Sequence, residues 1–261
     1  MIVFTVIACT AALTQAQVTV PVTQEYANTR PGLRERIAPT PVPSRTLTPE
    51  MRGDIYMARK MYREASEMYL QMPQTSAVTW NKIGIAYHQM LNYKGARKAY
   101  EKSVKLDSKY PEAINNLGTI HYAQKSYRNA IKYYRRALKV NPMSASIYSN
   151  LGTAFFARKK YADALEAYQH ALTLDPDVFE HRNSNGILLQ ERNVQERAKF
   201  YYYMAKTYAK AKNHERALQY LRKALEEGFK DRNKLTEEPE FALMQDLPEF
   251  QELLRYQPTV L

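Results

Sequence analysis

Cysteine is all but missing from this chain of 261 residues: the one copy, Cys9, stands near the N-terminus. An internal disulfide or a thiolate zinc site needs at least a pair, so both are excluded. Charge is missing from residues 1–16, MIVFTVIACTAALTQA. The apolar run Ile2 to Leu13 is too short for a bilayer, which takes about 20 residues. No H-E-x-x-H, Gly-rich phosphate loop or G-x-S-x-G occurs, and His88, His121, His170, His181 and His214 are scattered. No catalytic residue, metal site or cofactor is therefore expected, and the chain reads as a non-enzyme.

The uncharged start reads as a signal peptide over 1–16, with a small-residue cleavage site after Ala16 but no positive n-region. Two alternatives stand beside it. Val6-Ile7-Ala8-Cys9 resembles a bacterial lipoprotein box, and an apolar, unstructured terminus fits as well. Cleavage after Ala16 leaves a mature chain without cysteine. Export to the periplasm is the expectation, with a lipoprotein anchored at Cys9 as the other route. Residues 17–45 carry Pro21, Pro31, Pro39, Pro41 and Pro43 and no apolar periodicity, which reads as a disordered linker, either a tether or a plain spacer.

What the chain does contain is 45% hydrophobic residues, 25% charged residues, 21 tyrosines and a net charge of +12. Its organising stretch is Trp80 to Lys105. Trp80, Ile83, Gly84 and Tyr87 lie at i, i+3, i+4 and i+7, one face of a helix, and Ala96, Tyr100 and Ser103 share a face of a second. Asn92 and Gly95 mark the turn between them. Gly84 and Ala96 allow two backbones to approach, with Tyr100 beside them. Helices this short are marginal alone. Sliding the register from Gly84 to Gly118 brings the pattern back as Asn116, Leu117, Gly118, His121, Ala130, Tyr134, Ala137 and Pro142. A second shift by the same interval gives Asn150, Leu151, Gly152, Phe155, Ala164, Tyr168, Ala171 and Pro176. A shortened unit with Gly53, Tyr56, Ala65 and Tyr69 comes before. A fifth, with Tyr201, Met204, Ala205, Tyr208, Ala217, Leu221 and Ala224, comes after and ends at Phe229 where a proline is usual.

This spacing resembles the tetratricopeptide repeat family. The resemblance implies an all-α, right-handed superhelix of four to five repeats with a helical C-terminal cap. Repeats 1–4 fall over 46–178, a surface insertion or spacer over 179–197, repeat 5 over 198–231 and the cap over 232–261. In the cap, Leu235, Phe241, Leu247, Phe250 and Leu253 would cover the exposed end of the array, and Glu237, Glu238, Glu240, Asp246, Glu249 and Glu252 would face water. His121 stands where the repeat takes a packed aromatic and is expected in the core.

The family's concave face binds peptides. Carried over residue by residue, its lining is Val78, Lys82, Ile85 and Gln89, then Glu112, Asn116, Thr119 and Ala123, then Ser146, Asn150, Thr153 and Ala157, and finally Lys199, Tyr203, Lys206 and Lys210. The central set is Lys82, Ile85, Asn116, Thr119, Asn150, Thr153, Tyr203 and Lys206. Asn116 and Asn150 hold equivalent places in successive repeats and would stack as an amide ladder for an extended peptide backbone. A basic pair for a terminal carboxylate is not met, because Glu112 and Asn116 occupy its places; Lys82 leaves a weaker version open. The second helices carry Lys94, Arg97, Lys98, Lys102 and Lys105, then Lys125, Arg128, Lys132, Arg135, Arg136 and Lys139. Lys98, Lys102, Lys132, Arg135 and Arg136 form a basic convex surface. That surface is either solvated or a dock for an anionic membrane or polymer. No nucleic-acid motif is present, so nucleic acid is not expected as a partner. The expected function is a non-enzymatic scaffold of a bacterial cell envelope that binds a protein or peptide segment in its groove.

Overall fold

The computed structural model describes residues 47–180 and 194–256. The expected signal segment with Cys9, the expected linker over 17–45 and most of the expected 179–197 insertion lie outside them. Twelve α-helices and one 3-10 helix follow one another, with no strand among the described residues. Five pairs make the array: α1 (Pro49–Ala58) with α2 (Tyr62–Leu70), α3 (Ala77–Gln89) with α4 (Tyr93–Leu106), α5 (Pro111–Ala123) with α6 (Tyr127–Val140), α7 (Ala145–Ala157) with α8 (Tyr161–Leu174), and α9 (Val194–Lys210) with α10 (His214–Glu226). Each second helix also packs on the next first helix, so the pairs stack as a helical repeat solenoid. The cap is α11 (Asn233–Glu237), the 3-10 helix Pro239–Met244 and α12 (Pro248–Arg255).

Local chemistry sets the helix ends. The Thr48 hydroxyl accepts from the Met51 N–H at 3.2 Å, with Pro49 opening α1. The turn inside the second repeat lies slightly earlier than Asn92 and Gly95 suggest. Asn92 is the N-cap of α4, its Oδ1 accepting from the Gly95 N–H at 2.9 Å, so Gly95 is already helical. The turning residue is Leu91, with φ 59°. Its N–H donates to the His88 carbonyl and the Asn92 N–H to the Tyr87 carbonyl, both at 2.9 Å, a Schellman ending. The same paired bonds recur around Lys60, Lys125, Lys159 and Lys212, all with φ near 60°.

Within a repeat the helices cross where a glycine of the first meets a tyrosine of the second. A Cβ placed on Gly118 would lie 2.6 Å from the Tyr134 ring, and Gly53 with Tyr69, Gly84 with Tyr100 and Gly152 with Tyr168 repeat the crossing. All four tyrosines are buried. In the fifth repeat Ala205 and Leu221 hold these places, a larger residue on one helix balanced by a smaller one on the other. Leu235, Phe241, Phe250 and Leu253 of the cap are buried against the last repeat, as the sequence suggests. Glu238 and Glu240 depart from the expectation that all the cap acids face water. Both turn inward, because the chain returns across α9 and meets a buried lysine there. His121 is another departure. It is only half-buried and stacks on Tyr133 at 5.0 Å, at the edge of the helix pair.

Candidate peptide-binding groove

The first helices α3, α5 and α7 stand side by side and present polar residues on their inner row. Asn116 Nδ2 on α5 donates to Asn81 Oδ1 on α3 at 2.9 Å. Asn150 Nδ2 on α7 donates to Asn115 Oδ1 on α5 at 3.1 Å. Asn115 Nδ2 reaches Asn116 Oδ1 at 3.4 Å, and Asn81 Nδ2 reaches the Tyr110 hydroxyl at 3.5 Å. The result is one amide row crossing three repeats. Asn116 and Asn150 do not stack on each other. Asn116 pairs with Asn81 and Asn150 with Asn115, because the facing residue on the neighbouring helix is offset by one from the repeat equivalent. Asn81 and Asn115 therefore belong to the row, although sequence reasoning passes over both. The signal for them is the recurrence of asparagine at 81 and 115, the same interval as 116 and 150, one place before Lys82 and Asn116.

At the N-terminal end, Lys82 is already neutralised. Its ammonium lies 2.7 Å from Asp54 and 3.0 Å from Glu50, and the Tyr69 hydroxyl also donates to Asp54 at 2.7 Å. Burial pulls the Lys82 pKa down, but the hydrogen bonds and charge of Asp54 and Glu50 outweigh it and hold the ammonium above its ordinary value. Burial, reinforced by Asp54, pushes the Tyr69 phenol well up. At the C-terminal end, Lys206 Nζ lies 2.7 Å from Glu238 and 3.3 Å from Glu240, and the Tyr202 hydroxyl donates to Glu238 at 2.9 Å. Phe229 stacks on Tyr202 at 4.3 Å. Both ends of the inner row thus carry paired charge, and its middle is neutral amide. Among the described residues no group of three or more His, Cys, Asp or Glu could hold a metal ion.

Residues 75–142, 115–178 and 200–227 each match a family described as Tetratricopeptide repeat, together reaching into every pair but the first. This chain is a tetratricopeptide repeat protein. No curated protein matches it. Among solved structures it is similar to a crystal structure of MamA, at 22% identity and a TM-score of 0.46, covering 67% of this chain and 93% of that one. It is also similar to MamA (41 to the end) from Desulfovibrio magneticus RS-1, at 19% identity, a TM-score of 0.47 and coverages of 67% and 89%. A third is YrrB, described as a TPR protein with an unusual peptide-binding site, at 20% identity, a TM-score of 0.44 and coverages of 71% and 87%. As a tetratricopeptide repeat array the chain belongs to a class of protein-interaction scaffolds.

The structure narrows the groove expected for a tetratricopeptide repeat. Lys82, Ile85, Asn116 and Thr119 are half-buried on the inner row and reach its surface. Asn150 has no exposed surface, and Thr153 is buried with it. The Tyr168 hydroxyl donates to Thr153 Oγ1, which donates to the Ser149 carbonyl, so this threonine anchors a core tyrosine rather than a ligand. Thr119 serves Tyr134 in the same way while staying half-buried. Lys206, 8% exposed, is covered by the cap, and Tyr203 stacks on Tyr161 at 4.8 Å. Asn150, Thr153 and Lys206 are therefore not surfaces for a partner in this state. On the outer helices all five basic residues are exposed, but three lean on neighbours. Lys102 Nζ sits 3.8 Å over the Trp80 ring, Arg135 lies 5.4 Å from the Phe155 ring, and Arg136 donates to the Ser108 carbonyl at 3.1 Å.

Proposed function

We propose that this tetratricopeptide repeat protein is a non-enzymatic scaffold that binds an uncharged, extended segment of a partner protein over α3 and α5. The carrying observation is the amide row. It is fixed by its own hydrogen bonds, so little ordering remains to be done on binding. Asn116 keeps part of its surface and one Nδ2 proton beyond the bond to Asn81, and Lys82 and Ile85 lie next to Asn81 on α3, one residue and one helical turn on. Because Lys82 already carries two carboxylate partners, a free chain terminus gains little there and would displace Asp54 and Glu50. A main-chain amide matches the asparagine, which both donates and accepts.

A phage-displayed library of random peptides tests this. Selected peptides are expected to be poor in acidic residues and to bind with little salt dependence. Asn116→Ala should weaken them roughly 10-fold, the cost of about one hydrogen bond with a desolvated partner. Peptides that depend on an acidic C-terminus, or that ignore Asn116→Ala, would contradict it.

The scaffold is proposed to work in a bacterial cell envelope. Residues 1–16, uncharged and ending in Thr14-Gln15-Ala16, support export. Mass spectrometry of the native protein should find Gln17 at its N-terminus. An intact Met1 in the mature protein, or a lipid on Cys9, overturns cleavage after Ala16.

A further inference from the structure

Antiparallel pairing puts every turn inside a repeat on one edge of the array and every turn between repeats on the other. The two edges differ in charge. The linkers inside repeats, residues 59–61, 90–92, 124–126, 158–160 and 211–213, hold seven basic and no acidic side chains. The linkers between repeats, residues 71–76, 107–110 and 141–144, with the described residues 175–180, hold one basic and four acidic ones.

The backbone makes the basic edge more telling. Lys60, Lys125, Lys159 and Lys212 occupy the left-handed position of the helix ending, with φ 58° to 61°. Glycine is the residue that this position favours on steric grounds. Four lysines in five turns put a charge where packing asks for no side chain at all, and none of the four is in an ion pair among the described residues. The remaining turn, in the second repeat, carries Leu91, 70% exposed. Beside these turns Tyr62, Tyr93, Tyr127 and Tyr161 open the second helices, each half-buried.

We propose that this edge docks on an anionic lipid bilayer. Lysines attract acidic headgroups, half-exposed tyrosine rings suit the water–lipid boundary, and Leu91 is the residue positioned to enter the acyl layer. A polyanionic strand would account for the lysines but not for an exposed leucine among them. The dock lies at the turns, beside rather than on the outer faces of α4 and α6, where Lys102, Arg135 and Arg136 already lean on neighbours. It is independent of the groove.

The test is co-sedimentation of the full chain with phosphatidylcholine vesicles, with and without phosphatidylserine. The variant is Lys125→Gly with Lys159→Gly and Lys212→Gly, which deletes charge while giving each turn its preferred residue, so folding is kept and the melting temperature should not fall. Partition onto the anionic vesicles should drop about 100-fold, roughly fivefold for each lysine. Asn116→Ala and the opposite-edge variant Lys109→Ala should bind vesicles as the wild type does. A triple variant that sediments like wild type on anionic vesicles overturns the proposal. So does one that loses only a single-stranded oligonucleotide, which would make the edge a strand-binding surface.

Discussion

Gly118→Ala is expected to destabilise the array by about 1–2 kcal/mol, although alanine is the better helix former by roughly 1 kcal/mol. The added Cβ would lie 2.6 Å from the Tyr134 ring, which is fully buried, so the ring or the helix must shift. Tyr134→Leu alone should cost roughly 2–4 kcal/mol through the cavity it leaves. Together the two changes recreate the Ala205–Leu221 crossing that the fifth repeat uses. Their combined cost should fall short of the sum by about 1–2 kcal/mol. Urea unfolding of the four proteins measures that coupling, and strict additivity would mean that the ring and the glycine do not share the space described. Lys125→Leu is the matched control, expected within about 0.5 kcal/mol, because Leu91 already holds the same backbone conformation at the equivalent turn.

The second large effect lies at the cap. Lys206→Ala leaves Glu238 and Glu240 facing each other with no cation between them. Breaking a fully buried pair costs about 3–5 kcal/mol. Here the Glu238 side chain keeps about a quarter of its exposure, so about 2 kcal/mol is the expected loss. Hydrogen exchange should then rise in α11 and α12 and along α9 while α3 to α6 stay protected. The same contact carries a pH dependence. Burial raises the Glu238 pKa, but hydrogen bonds from Lys206 and Tyr202 and the Lys206 charge outweigh it, so the carboxyl stands below its ordinary 4.5. A depressed carboxyl contributes stability that is complete above its unfolded value and is lost as the pH falls through the folded one. The melting-temperature gap between wild type and Glu238→Gln should be full above pH 4.5 and close below it. A gap that persists into strong acid would mean that Glu238 is not the titrating partner of Lys206.

Much of this fold was legible because steric demands repeat. Gly84, Gly118 and Gly152 are followed at one constant interval by Tyr100, Tyr134 and Tyr168, and need no structure to be read as one crossing used three times. The groove was legible only in part. A period identifies equivalent residues, not residues in contact: Asn116 and Asn150 are equivalent, while each bonds an asparagine one place off the period. Lys206 looked open because its covering acids, Glu238 and Glu240, reach it only after the chain turns back from Phe229. The edge lysines were invisible as a group because their shared property is a backbone angle, and lysine is an uncommon choice for it.

The most direct test of the scaffold account is site-specific photocrosslinking of the full protein in its native host. A photoreactive side chain at Ile85, one helical turn from the Asn81 that pairs with Asn116, is compared with one at Lys132 on α6. The account predicts that partner protein crosslinks from position 85, and that Asn116→Ala in the same chain reduces the product several-fold. Partner crosslinks from position 132 with none from 85 would contradict it.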